Sequence, residues 1–150
     1  MNNSADQIII EQLTSLSLKD AEAIRRLVSQ LGSEFQPLGD KDLKEMLKSP
    51  TTYLLVARQS KTQKIVGMAT LAVYRIPYAK KAYFDDFIIE EAYQGQGIGS
   101  LLLEKVLAKA AELGATYIDF TSTPTRLAAN KLYEKFGFTK RDTNVYRLTF

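Results

Sequence analysis

The stretch Tyr93-Gln94-Gly95-Gln96-Gly97-Ile98-Gly99-Ser100 places three glycines at alternate positions. It lies between an apolar segment ending Phe87-Ile88-Ile89 and a leucine-rich run beginning at Leu101. Glycine lets a ligand approach the backbone because no β-carbon stands in the way. Where a strand passes into a helix, the first-turn amides have no intrahelical acceptor and attract an anion. The chemistry to expect is therefore the cradling of phosphate oxygens. A triphosphate loop would need lysine before the final hydroxyl residue, and Gly99-Ser100 lacks it. A dinucleotide fingerprint read from Gly95 would need a third glycine where Ser100 stands, with only Asp119 as its acidic partner.

A second feature lies upstream, where Asp85-Asp86 interrupts the apolar run Ala82 to Ile89. In a regular strand Tyr83, Asp85, Phe87 and Ile89 share one face, and Phe84, Asp86 and Ile88 the other. At least one carboxylate then faces inward, unless an irregular strand turns both to water. Such a carboxylate can take a proton, attract a cation or cap local structure. The sequence contains no cysteine and no histidine. That removes disulfides, thiol nucleophiles and histidine-assisted serine or cysteine catalysis. Only carboxylates remain as strong metal ligands, so no metal site is expected. Acid–base work falls to Asp, Glu, Tyr, Lys, water or the backbone.

The elements that must position these residues follow from periodicity. The 150 residues suit one domain, 1–150, with 45% hydrophobic and 25% charged residues. Ile8-Ile9-Ile10 with Leu13 reads as a first strand. Ser17 to Asp20 starts a helix carrying Ala21, Ile24, Leu27, Val28 and Leu31, with Gly32 after it. Asp40 is expected to cap a second helix ending at Leu47. Thr52–Ala57 and Ile65–Tyr74 form an antiparallel hairpin, Pro77 breaks the pattern, and Ala82–Ile89 resumes it. A long helix through Leu113 stops at Gly114, Tyr117–Phe120 is a strand, and Leu127–Phe136 is a helix stopped by Gly137. Phe138 and Val145–Leu148 are expected to add two closing strands. The strand–helix–strand unit through Gly95 implies one parallel pair beside antiparallel ones. The fold class is α/β (α+β), with a mixed, mostly antiparallel twisted sheet of about six or seven strands and about four helices.

Net charge is +3, and the basic residues are scattered, so no nucleic-acid face is expected, only a modest pull on an anionic ligand. No run of apolar residues is long enough to span a membrane, and MNNSADQIII lacks the character of a secretory signal. A cytoplasmic location is expected.

The spacing Gln94-x-x-Gly97-x-Gly99 resembles the pyrophosphate-binding signature of the GNAT superfamily of N-acetyltransferases, which use acetyl-CoA. A second block agrees: Ala129-Asn130-Lys131-Leu132-Tyr133 through Gly137-Phe138 is similar to that family's tyrosine helix and turn. The stretch from Phe84 to Ser100 also resembles the polyamine (spermidine/spermine-type) acetyltransferases. These resemblances imply a GNAT-like domain over essentially the whole chain. They imply that Phe87, Ile88 and Ile89 hold the pantetheine arm through their backbone. Amides of Gln94, Gly95, Gln96, Gly97, Ile98, Gly99 and Ser100 would hold the pyrophosphate. Tyr133 would protonate the departing thiolate, with a packed aromatic as the structural alternative, and Asp85 would serve as base, directly or through water. The family often has Asn seven residues before the tyrosine; Arg126 stands there, and either Arg126 or Asn130 would contact the cofactor.

The implied reaction joins acetyl to a primary amine of a small molecule or a peptide. An amine of pKa about 10.4 is only about 0.1% neutral near pH 7.4, a penalty of roughly 4 kcal/mol. Holding the reactants together can contribute about 7–11 kcal/mol, so positioning outweighs any single base. Family precedent places the acceptor between the loop around Glu34 and the segment around Tyr78, with Tyr83 and Asp86 alongside. Arg75, Lys80 and Lys81 argue against a simple acid-lined pocket. The other reading is a non-catalytic acyl-CoA-binding sensor or interaction module. Homodimers are common in the family, but no pattern in this sequence fixes the oligomeric state.

Overall fold

The computed structural model describes residues 6–150. Its elements are β1 (Ile8–Leu13), α1 (Leu18–Ser29), α2 (Asp40–Leu47), β2 (Thr52–Gln59), β3 (Ile65–Ile76), β4 (Ala79–Ile89), a single 3-10 turn (Glu91–Tyr93), α3 (Ile98–Glu112), β5 (Tyr117–Asp119) and α4 (Leu127–Lys135). The sheet order is β1-β2-β3-β4-β5, antiparallel throughout except for the parallel β4–β5 pair. No helix among the described residues is long and apolar enough to cross a membrane.

Alternation along the strands splits the core into two layers. Leu54, Val56 and Met68 face α1 and α2, meeting Ala23, Ile24, Leu27 and Leu43. Leu55, Ala69, Leu71 and Phe84 face the other way, against Leu102, Leu103 and Val106 of α3 and Tyr133 of α4. Leu27 and Leu102 are fully buried, each worth about 1.5–3 kcal/mol relative to exposure.

Ser17 caps α1 as expected: its Oγ accepts from the Asp20 amide at 3.1 Å while the Asp20 carboxylate accepts from Ser17. Asp20 is buried and also accepts from Arg58 at 2.9 Å. Burial alone would raise its pKa, but these hydrogen bonds and the guanidinium hold it below the usual carboxylate value.

Two expectations differ from the structure. Asp40 is the first residue of α2 and pairs with Arg25, leaving Gly39 at the cap with no side-chain bond. The closing strands are absent: residues 139–150 form no helix or strand and are exposed throughout. Among the described residues the sheet therefore has five strands rather than six or seven. Alternating sequence favours extension, but a strand exists only where its backbone groups pair with a neighbour, and residues 139–150 make no such ladder.

Candidate active site

Strand β4 is the axis of the site. It pairs with β3 along its length, but the register passes from Thr70↔Asp85 to Met68↔Ile88, giving β4 one extra residue. Asp86 absorbs it with φ of 53°, the left-handed region that Asp tolerates better than most residues. The bulge overturns the regular alternation. Phe84 and Phe87, expected on opposite faces, enter the same core cluster, while Ile88 joins the cluster under α1 and α2. Asp85 and Asp86 both remain exposed. Partial desolvation raises both carboxyls above the usual range; the neighbouring Asp86 charge adds to the rise at Asp85. At Asp86 the Thr70 hydroxyl, 3.4 Å away, offsets part of it.

On its other edge β4 pairs with β5 only over Lys81–Tyr83, because β5 ends at Asp119. Beyond that point the strands part, and no β5 residue pairs with Asp85–Ile89. An open strand edge can take an extended amide-bearing arm as an added strand.

At the end of this edge the chain turns into α3. Gly95 and Gly97 have φ of 73° and 81°, and a β-carbon on either would meet nothing within 4 Å. Gly99 faces α4 instead: a β-carbon there would stand 3.4 Å from Leu132 Cδ2, an ordinary contact. Two glycines thus shape the turn and leave space outside it, while the third faces Leu132 of α4. Gln94 Nε2 donates to the Ile89 carbonyl at 3.0 Å, and Gln96 Nε2 to the Ala92 carbonyl at 3.2 Å. Those side chains brace the turn, while the α3 first-turn amides from Ile98 onward lack helical acceptors. The open space and these amides fit a pyrophosphate.

Tyr133 is buried in an aromatic cluster. Its ring centroid lies 4.4 Å from Phe120, 5.9 Å from both Phe84 and Phe87, and 6.1 Å from Phe138. Burial raises the phenol pKa, and the nearby Arg126 charge offsets part of the rise, so the hydroxyl stays protonated near neutrality. Arg126 donates to the Phe87 carbonyl at 2.9 Å, so that acceptor is engaged by protein. Asn130 donates to the Thr123 carbonyl at 2.9 Å, bracing the loop before α4. Sequence reasoning missed Ser122 in that loop; its Oγ is buried with no hydrogen-bond partner among the described residues. A serine in a polar loop carries no such signal, since only packing decides whether its hydroxyl reaches water.

Across the sheet, a cavity of about 290 Å³ lies between α1, the α1–α2 loop and strands β2–β4. Glu34 and Asp86 both line it, while Asp85, Tyr78 and Tyr83 do not. Tyr78 sits at a separate, larger cavity of about 620 Å³ with Arg75, Lys80 and Gly114, and is 83% exposed. That cavity adjoins the C-terminal end of α3, about 22 Å along a fifteen-residue helix from the glycine turn. Tyr83 lies near Lys81, whose Nζ is 5.9 Å from its ring centroid. Of the four expected acceptor residues, the fold brings only Glu34 and Asp86 together. Among the described residues, no three carboxylates gather into a metal-holding group.

Together these features form one candidate site: an open strand edge leading to a glycine turn with free helix amides, between a buried phenol and a carboxylate-bearing cavity. The chain belongs to the acetyltransferase (GNAT) family, whose family model matches residues 21–138. It is therefore an acetyl-CoA-dependent N-acetyltransferase of that family. No curated protein matches it. Among solved structures, a transcriptional regulator from Bacillus halodurans C-125 superposes with a TM-score of 0.81 at 24% identity, covering 96% of this chain and 100% of that one. An aminoglycoside acetyltransferase from an uncultured soil metagenomic sample, in complex with sisomicin, gives 0.81 at 22% identity, covering 95% of each. Glucosamine-6-phosphate N-acetyltransferase from Arabidopsis thaliana gives 0.74 at 14% identity, covering 95% of this chain and 98% of that one. At these identities the likeness shows a shared fold.

Proposed function

We propose that the chain acetylates a primary amine seated in the 290 Å³ cavity, with acetyl-CoA extended along the open edge of β4 and its pyrophosphate at the glycine turn. The observation that carries this reading is the bulge at Asp86. It turns one residue of β4 toward the cavity while Phe87 stays packed against Tyr133, so two opposed groups flank one open edge. The amine nitrogen forms a bond to the acetyl carbon and the carbon–sulfur bond breaks. The nitrogen's surplus proton leaves to Asp85, Asp86 or a water between them, and the sulfur gains one from Tyr133. A thiol near 8.5 is a stronger acid than a tyrosine above 10, so full transfer from Tyr133 is uphill by about 2 kcal/mol or more. Tyr133 acts first as a hydrogen-bond donor to the developing thiolate, and proton transfer completes as the phenol is resupplied. Backbone amides of Phe87 to Ile89 supply an oxyanion donor for the thioester oxygen.

The polyamine resemblance of the β4 stretch fits the acidic pair, but the mostly apolar cavity gives it little support. The test is acetyl-CoA-dependent thiol release with small amines, amino sugars, polyamines and peptides. Turnover with at least one class is expected. Tight acetyl-CoA binding with no turnover on any acceptor would leave the non-catalytic binding module as the better reading.

A further inference from the structure

Ten of the fourteen residues lining the 290 Å³ cavity have side chains without nitrogen or oxygen, among them Ile24, Leu31, Leu43, Met46 and Met68. The four others are Glu34, Gln36, Thr70 and Asp86. Glu34 is curled over Gly32, its carboxylate occupying the space a β-carbon there would need. It therefore belongs to the loop, while Asp86 rises from the bulged strand beside Thr70. The cavity thus joins an anionic point on β4 to an apolar chamber roofed by Phe35 and Leu38, both notably exposed for their type. A second ammonium or a sugar hydroxyl seated against Ile24, Leu43, Met46 and Met68 would lose its water against carbon, since the acceptors Glu34 and Gln36 stand on the loop and Thr70 beside Asp86.

We infer that the acceptor is a primary amine carrying an apolar group, aliphatic or aromatic, with the amine toward Asp86 and the apolar group between α1, α2 and the α1–α2 loop. This rests on the acetyl-transfer reading and names its substrate class. A series of n-alkylamines and phenylalkylamines, compared with spermidine and glucosamine, tests it. kcat/KM is expected to rise about threefold to fourfold per added methylene until the cavity is filled. Spermidine and glucosamine should fall at least tenfold below the best apolar amine. Phe35→Asp and Leu38→Asp, both at exposed loop positions, should flatten the series. A series indifferent to chain length, or a better rate with spermidine or glucosamine, overturns the inference and leaves acetyl transfer standing. Calorimetry of the same amines, without donor, reads the cavity independently: absence of any chain-length trend in affinity overturns the inference even if no thiol is released.

Discussion

The two faces of β4 are built on opposite terms. Toward α3 and α4 the space is filled: Phe84, Phe87, Phe120, Tyr133 and Phe138 interlock, and the Tyr133 phenol is withdrawn from water. Toward α1 and α2 a cavity remains, and Asp86 stands at its wall. On the proposed reading the donor side relies on backbone features, an open edge and a glycine turn, which would serve any acyl-CoA alike. The acceptor side relies on side chains of a loop and two helices, which can vary without disturbing the sheet. A common donor with variable acceptors is what that division permits.

The contrast between the faces breaks most sharply at the glycine turn. Gly97→Val should lower acetyl-CoA affinity at least about 100-fold, because the left-handed backbone disfavours a branched side chain and that side chain would fill the open space proposed for the pyrophosphate. Calorimetry with circular dichroism as a folding control checks it; undiminished binding in a folded variant refutes the cradle. Next in size is Tyr133→Phe, expected to cut kcat roughly 10–100-fold with KM for acetyl-CoA nearly unchanged, since the ring keeps its packing. Unchanged turnover would return Tyr133 to a purely structural role.

Asp86→Asn sharpens the acceptor side and should reduce kcat/KM for the amine about tenfold, with Asp85→Asn costing less. The reverse order would put the proton-accepting role on Asp85. Both carboxyls are raised by partial desolvation, so kcat/KM should climb with pH through a value above the ordinary carboxylate range. Asp86→Asn should displace that acid limb. Stability moves opposite to activity: the folded state holds these protons more tightly, so ionisation costs stability as pH rises from the unfolded toward the folded pKa. Asp86→Asn should therefore be slightly stabilising at neutral pH, and thermal melts check this. The smallest change is expected from Arg126→Ala, a twofold to fivefold shift in KM for acetyl-CoA, because Arg126 engages the Phe87 carbonyl from an exposed position. A large loss of kcat instead would move Arg126 into the chemistry.

Much of this was legible in residue order. Ser17 with Asp20, the helix-ending glycines at 114 and 137, and the apolar spacing of α1 and α3 placed the elements closely. The glycine turn was legible because Gly95, Gly97 and Gly99 together exceed what a plain strand-to-helix turn requires. The Asp86 bulge was not, since a strand registers an extra residue only against its neighbour β3. Grouping Tyr78 with Glu34 failed in the same way, because distance between loops depends on which end of β4 each one meets.

The sequence by itself determined the periodicities, the turn chemistry and the absence of histidine and cysteine, all of which are properties of local order and composition. Only the tertiary structure decided that Phe84 and Phe87 share a face, that Gly99 faces Leu132 of α4, and that Asp86 lines a mostly apolar cavity. Each of these depends on atoms from distant segments competing for the same space, and spacing along one segment carries no record of that competition.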